Sequence, residues 1–112
     1  MDVPNVLINA NGPLPIQASF YCAGSTQVFL VSGSAWSQAA GSFVGMNILI
    51  DGTNYGDAAV MTNEAVSHKA VVEQPVVAHL TPGSHTIQLT LLNSTTISDL
   101  NDRYRVLLFD LG

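Results

Sequence analysis

The sequence predicts an all-β fold: one antiparallel, jelly-roll-like β-sandwich of about nine short strands spanning residues 1–112. Three observations carry that expectation. Between Thr86 and Leu91 the residues alternate, with Ile87, Leu89 and Leu91 on one side of an extended chain and Thr86, Gln88 and Thr90 on the other. That is the period of a half-buried strand. Similar runs recur along the chain, separated by turn pairs such as Pro82-Gly83 and Asp51-Gly52. A chain of 112 residues is also long enough for one continuous core and leaves little room for a second domain.

Taken in order, Val6-Leu-Ile8 is a short apolar segment and Asn9-Ala-Asn-Gly-Pro13 a dense turn signal. Ile16-Gln-Ala-Ser-Phe-Tyr-Cys22 is a clean strand whose Ile16, Ala18, Phe20 and Cys22 share one face. Gln27-Val-Phe-Leu-Val31 is apolar on both faces, so it is covered on both, inside the fold or by a partner. Residues 32–42 are small and polar and read as a loop, or as a strand end followed by a loop, around the lone Trp36. Met46-Asn-Ile-Leu-Ile50 is a strand, Asp51-Gly52 a hairpin turn, and residues 55–61 the return strand, closed by Thr62-Asn-Glu64. Residues 65–74 would tolerate a helix, but Val66, Val71 and Val72 favour the strand predicted here. Pro75 marks an edge or a bend before Val76-Val-Ala-His-Leu80. Residues 93–102 form a polar loop, and Arg103-Tyr-Arg-Val-Leu-Leu-Phe-Asp-Leu111 is a closing strand, again apolar on both faces.

Composition excludes several partners. The net charge is -5 and the only cations are Lys69, Arg103 and Arg105, too few for the basic patch that nucleic acid or an anionic membrane requires. Only 10% of residues are charged, against about 25% in typical domains. The surface is therefore built of Ser, Thr, Asn and Gly, with part of it buried against another subunit. Cys22 stands alone, so no intrachain disulfide forms, and its face of the strand makes it a buried structural thiol. Met1-Asp-Val-Pro4 lacks a basic region and an apolar core, so no signal peptide is expected. The chain reads as cytoplasmic as made, or as one domain of a larger exported protein. Asn93-Ser-Thr95 fits a glycosylation sequon, incidental without a leader.

Catalytic and metal motifs fail on spacing. His68, His79 and His85 contain no His-x-His pair, which argues against a cupin-type metal site, and each is expected to cap or bridge loop backbone. Asp51-Gly-Thr-Asn-Tyr-Gly-Asp57 gathers oxygen atoms but lacks calcium-loop spacing, and a hairpin turn accounts for it. No Gly-x-Ser-x-Gly elbow occurs, and Asp99 and Asp102 in one short loop do not make an opposed acid pair. The expectation is no enzyme, no cofactor and no metal.

Asn47-Ile-Leu-Ile-Asp-Gly52, followed by Leu80-Thr-Pro-Gly-Ser-His-Thr-Ile-Gln-Leu89 and a final apolar strand over 105–111, resembles the scaffold of jelly-roll carbohydrate-binding modules. The resemblance covers the second half of the chain and implies a non-catalytic sugar-binding domain. The short jelly roll ending in an apolar strand is also similar to tumour-necrosis-factor-like and complement-type heads. That likeness implies a trimeric structural head, as in a phage fibre or a collagen-like protein.

Recognition of a hydroxyl-rich ligand calls for aromatic faces beside paired donors and acceptors. The candidates are Trp36 and Tyr55 with the polar groups of Asn63, Glu64, His68, Asp99, Asn101, Asp102 and Arg103. The expected partners are a glycan and further copies of this chain. The two-sided apolar strands predict a homo-oligomer, a cyclic trimer.

Overall fold

The computed structural model describes residues 5–112, so the Met1–Pro4 start on which the leader reading rests lies outside the described residues. Among the described residues nine strands form: β1 (Asn5–Asn11), β2 (Ile16–Cys22), β3 (Thr26–Ala35), β4 (Ser42–Ile50), β5 (Thr53–Thr62), β6 (Lys69–Ala70), β7 (Gln74–Ala78), β8 (Gly83–Leu91) and β9 (Arg103–Leu111). All pairings are antiparallel. One sheet runs β1-β9-β3, with β6 and β7 both along the far edge of β3; the other runs β2-β8-β4-β5.

The core lies between the sheets and follows from the alternation. Phe29, Val31, Tyr104, Val106 and Leu108 point inward from one sheet, and Met46, Ile48, Ile50, Ile87 and Leu89 from the other, all essentially excluded from water. Phe20 meets Phe29 edge to face across the gap, their ring centroids 5.4 Å apart. Cys22 is wholly buried, and burial raises its thiol pKa above the ordinary value.

Two sequence expectations are corrected and one open alternative is decided. β1 continues through Asn11, because Asn9 and Asn11 pair with Arg105 and Arg103 on β9. β3 runs on to Ala35, so the segment from Ser32 is a strand end followed by a loop, the second of the two readings. Its small residues serve packing: a Cβ on Gly33 would come within 2.4 Å of the Tyr104 ring and 2.5 Å of Met46. Residues 65–74 are not a continuous strand: β6 pairs with Ser34 and Ala35 of β3, the first residue of β7 pairs with Val31, and between them the Val72 amide donates to the Ala59 carbonyl of β5. Pro75 sits in β7, an edge strand, where its missing N–H costs nothing.

The Asp51-Gly52 turn has φ of 51° and 81°, the two positive values of a tight hairpin. It is locked to β8 by an ion pair. His85 Nδ1 faces Asp51 Oδ2 at 2.5 Å and its Nε2 faces the Thr81 carbonyl at 2.7 Å, so both ring nitrogens meet acceptors. An imidazolium satisfies both, and these bonds raise the His85 pKa above 6.5. The same contact with His85, then the Thr86 amide, lowers that of Asp51 below 3.8.

The two shifts bracket a pH window. The Asp51 contribution is present above its unfolded pKa and is lost as pH falls through the folded one. The His85 contribution is present below its unfolded pKa and is lost as pH rises through the folded one. Between roughly pH 4 and 6.5 both act in full. The melting temperature is expected to decline from pH 6 to pH 8 by an amount that Asp51→Asn removes. A decline of equal size in that variant would rule out the pair as its source.

Candidate functional site

Four connections cross between the sheets at one end of the sandwich: residues 12–15, 36–41, 63–68 and 92–102. Most of the candidate residues gather here, where one aspartate ties three of these connections to β3. Asp102 is completely buried. Its Oδ1 accepts from the Ser34 hydroxyl at 2.8 Å and from His68 Nδ1 at 2.7 Å, and its Oδ2 accepts from the Asp99 amide at 2.9 Å. Its backbone carbonyl accepts from the Gly12 amide at 2.8 Å.

Around this anchor the loop 99–102 closes as a turn. The Asp102 amide donates to the Asp99 carbonyl at 3.0 Å, and the Asn101 amide to Asp99 Oδ1 at 2.9 Å. Gly12 permits the approach of the first crossover, since a Cβ there would lie 2.5 Å from the Asp99 carbonyl oxygen. Behind the loop, Ser98 donates to the Tyr104 hydroxyl at 2.7 Å and Tyr104 in turn donates to the Ser34 carbonyl at 2.6 Å. Burial pushes the Tyr104 pKa up to about 12, so this phenol stays a neutral donor.

The outward face of the cluster is aromatic and polar. Trp36 is half-buried, bridged to Ile97 by two backbone hydrogen bonds, and its indole Nε1 donates to Asp99 Oδ2 at 3.1 Å. The His68 ring lies 5.6 Å from the Trp36 ring, centroid to centroid, tilted by 41°. About a third of the side-chain surface of each of His68 and Asp99 stays in water, 36% and 39%. The result is a ledge with two ring edges, a free carboxylate lone pair and the exposed Asn101.

The structure thus brings together Trp36, His68, Asp99, Asn101 and Asp102 from the predicted set. Glu64 stands at the rim, 3.6 Å from Lys69, with exposed Asn63 beside it. Tyr55 lies near the hairpin at the opposite end of the sandwich, where β4 turns into β5. The Arg103 backbone adjoins Ser34, but its guanidinium turns onto the sheet face toward Asn9 and Asn11. Sequence reasoning missed Gly12, Ser34, Ser98 and Tyr104; the Gly-Pro pair at 12–13 was the only local sign, read simply as a turn.

His68, Asp99 and Asp102 each offer a ligand atom within 4.8 Å of the other two. The set does not suit calcium, which takes six to eight oxygen ligands. One of these three donors is an imidazole nitrogen, and the oxygens of Asp102 already accept three hydrogen bonds.

No family model and no curated protein matches the sequence. Solved structures do share the fold. The CBM36-1 domain of a multidomain xylanase from the hindgut metagenome of Trinervitermes trinervoides matches with a TM-score of 0.56 at 12% identity, over 98% of this chain and 99% of that one. A family 35 carbohydrate-binding module from Clostridium thermocellum gives 0.52 at 11% identity, over 98% and 100%. A CBM36 module in complex with calcium and xylotriose gives 0.53 at 16% identity, over 96% and 98%. The jelly-roll sandwich expected from the sequence is therefore the fold of these carbohydrate-binding modules.

Asp102→Asn is isosteric but sets an amide NH₂ against at least one of the three donors that meet the buried carboxylate. It is expected to cost about 1–3 kcal/mol in urea denaturation. A loss near zero would mean that the buried carboxylate does not hold this end together.

Proposed function

We propose that this domain is a non-catalytic carbohydrate-binding module that acts as a homo-oligomer, with its ligand on the ledge formed by Trp36, His68, Asp99 and Asn101. The observation that carries the reading is the half-buried Trp36 ring, held in place by Asp99 and flanked by His68 at the loop end. A sugar ring offers an apolar face to such an indole, and its hydroxyls need donors and acceptors together, as Asp99, Asn101 and His68 provide. The fold likeness to carbohydrate-binding modules supports the class. Each hydrogen bond adds only about 0.5–1.5 kcal/mol net, so one site binds weakly and several copies bind by avidity. Asp102 is a positioning residue: its oxygens are filled, so it is not proposed as a glycosidase acid or base.

A structural trimeric head is the second reading, favoured by the outer face of the five-stranded sheet. There Val28 lies between Val77 and Phe109, and Leu30 between Pro75 and Leu107, with Val6 beyond. Val6 and Val77 are more than half exposed, at 52% and 57%. Such a patch suits closed self-association.

Binding to an array of neutral glycans, xylo-oligosaccharides first, tests the module reading, with light scattering on the same sample. The expected result is an oligomer that retains a glycan, loses it about ten-fold or more with Trp36→Ala or Asp99→Ala, and is indifferent to a calcium chelator. An oligomer that retains no glycan would leave the structural head in its place. A monomer would remove self-association from both readings.

A further inference from the structure

β9 turns both of the chain's arginines to the outer face of the five-stranded sheet, where Arg103 and Arg105 alternate with buried Tyr104 and Val106. The pairing register places Arg105 between Asn9 of β1 and Ser32 of β3, and Arg103 opposite Asn11. Next to them the chain after β6 departs from β3. A groove of about 390 Å³ opens there, lined by Asn9, Ser32, Ser34, Val71, Arg103 and Arg105. Small-ligand pockets run from roughly 300 to 1,000 Å³, so this one holds about a single sugar.

The groove is cationic in an acidic protein. The chain carries a net charge of -5, and its third cation, Lys69, is spent on Glu64. Neither arginine forms an ion pair among the described residues. Arg103 instead donates from Nη1 to Asn11 Oδ1 at 2.8 Å and from Nη2 to Asn9 Oδ1 at 2.9 Å. Two neutral oxygens thus fix the guanidinium plane without cancelling its charge, and among the described residues no carboxylate lines the groove. A fixed, uncompensated guanidinium is organised in advance for an oxyanion.

We propose that this groove binds a tetrahedral oxyanion, a sulfate or phosphate ester carried on a sugar. Two guanidinium forks rise from one strand face roughly 7 Å apart at the backbone. Their donors outnumber what one carboxylate accepts through two oxygens, whereas an ester with three terminal oxygens can engage both forks. The sugar's hydroxyls then face Asn9 and Ser32, and its apolar side faces Val71. The site is independent of the Trp36 ledge, and its failure or success is read separately from neutral-glycan binding.

The test is titration of the full chain, followed by amide and arginine side-chain NMR, with four probes. These are glucose, glucose bearing a sulfate ester at its primary hydroxyl, the corresponding phosphate ester, and glucuronate. Both esters are expected to bind about ten-fold or more tighter than glucose and glucuronate. Raising ionic strength from about 0.01 M to about 0.15 M shortens the screening length from roughly 30 Å to roughly 8 Å and should weaken both esters. Arg105→Gln should abolish the preference and Arg105→Lys retain only part of it, while Trp36→Ala leaves it intact. A preference for one ester over the other identifies the source of the group. Equal binding of glucose and the esters, ester binding that survives Arg105→Gln, or glucuronate binding as tight as the esters would each overturn the proposal.

Discussion

A carboxylate taken wholly out of water must have its oxygens filled by donors, and Asp102 imposes that requirement on one end of this sandwich. Its three donors come from β3, from the crossover before β6 and from the loop before β9. A fourth segment joins through the Gly12 amide on the Asp102 carbonyl. Segments far apart in the chain are thereby held to one geometry, and only then can Trp36, His68 and Asp99 share a ledge. The ledge is loop in composition yet tied on every side.

The opposite end is governed by a different charge pair. Asp51 and His85 hold the hairpin to β8, and Asp110 accepts from the Ala23 and Gly24 amides and from Gln27. These are scaffold contacts, and they explain why the Asp-Gly and Gly-Ser-His-Thr segments look like a fold signature: Asp51 and His85 are partners across the sheet. The division of labour follows the topology. Tight turns and short connections meet at the hairpin end, whereas long crossovers meet at the Asp102 end and leave side chains to spare.

Much of the fold was legible in the residues. β2 has the limits that strict alternation assigns, β9 those of its two-sided apolar run, and the Asp51-Gly52 turn adopts the positive φ values its residues favour. What was not legible has a common cause: polar and small residues were read as loop when long-range contacts made them strand. Asn9 and Asn11 extend β1 because Arg103 needs their oxygens, and Gly33 extends β3 because Tyr104 and Met46 fill the space of a side chain. Likewise Asp102, one of three polar residues in a short loop, gives no local sign of burial, since two of the three donors that permit it lie 34 and 68 positions away. The ligand candidates were legible as residue types but not as a set. Tyr55 and the Arg103 side chain belong to other surfaces, and nothing in spacing separates them from Trp36.

Chemical-shift mapping of a bound neutral xylo-oligosaccharide tests most directly whether the Asp102-anchored ledge is the ligand surface. The expected result is that the largest shifts fall on the Trp36 indole N–H, the His68 ring and the Asp99 and Asn101 amides, with the hairpin end undisturbed. Shifts centred on Tyr55, or on Val28, Leu30 and Phe109 of the outer sheet face, would contradict it.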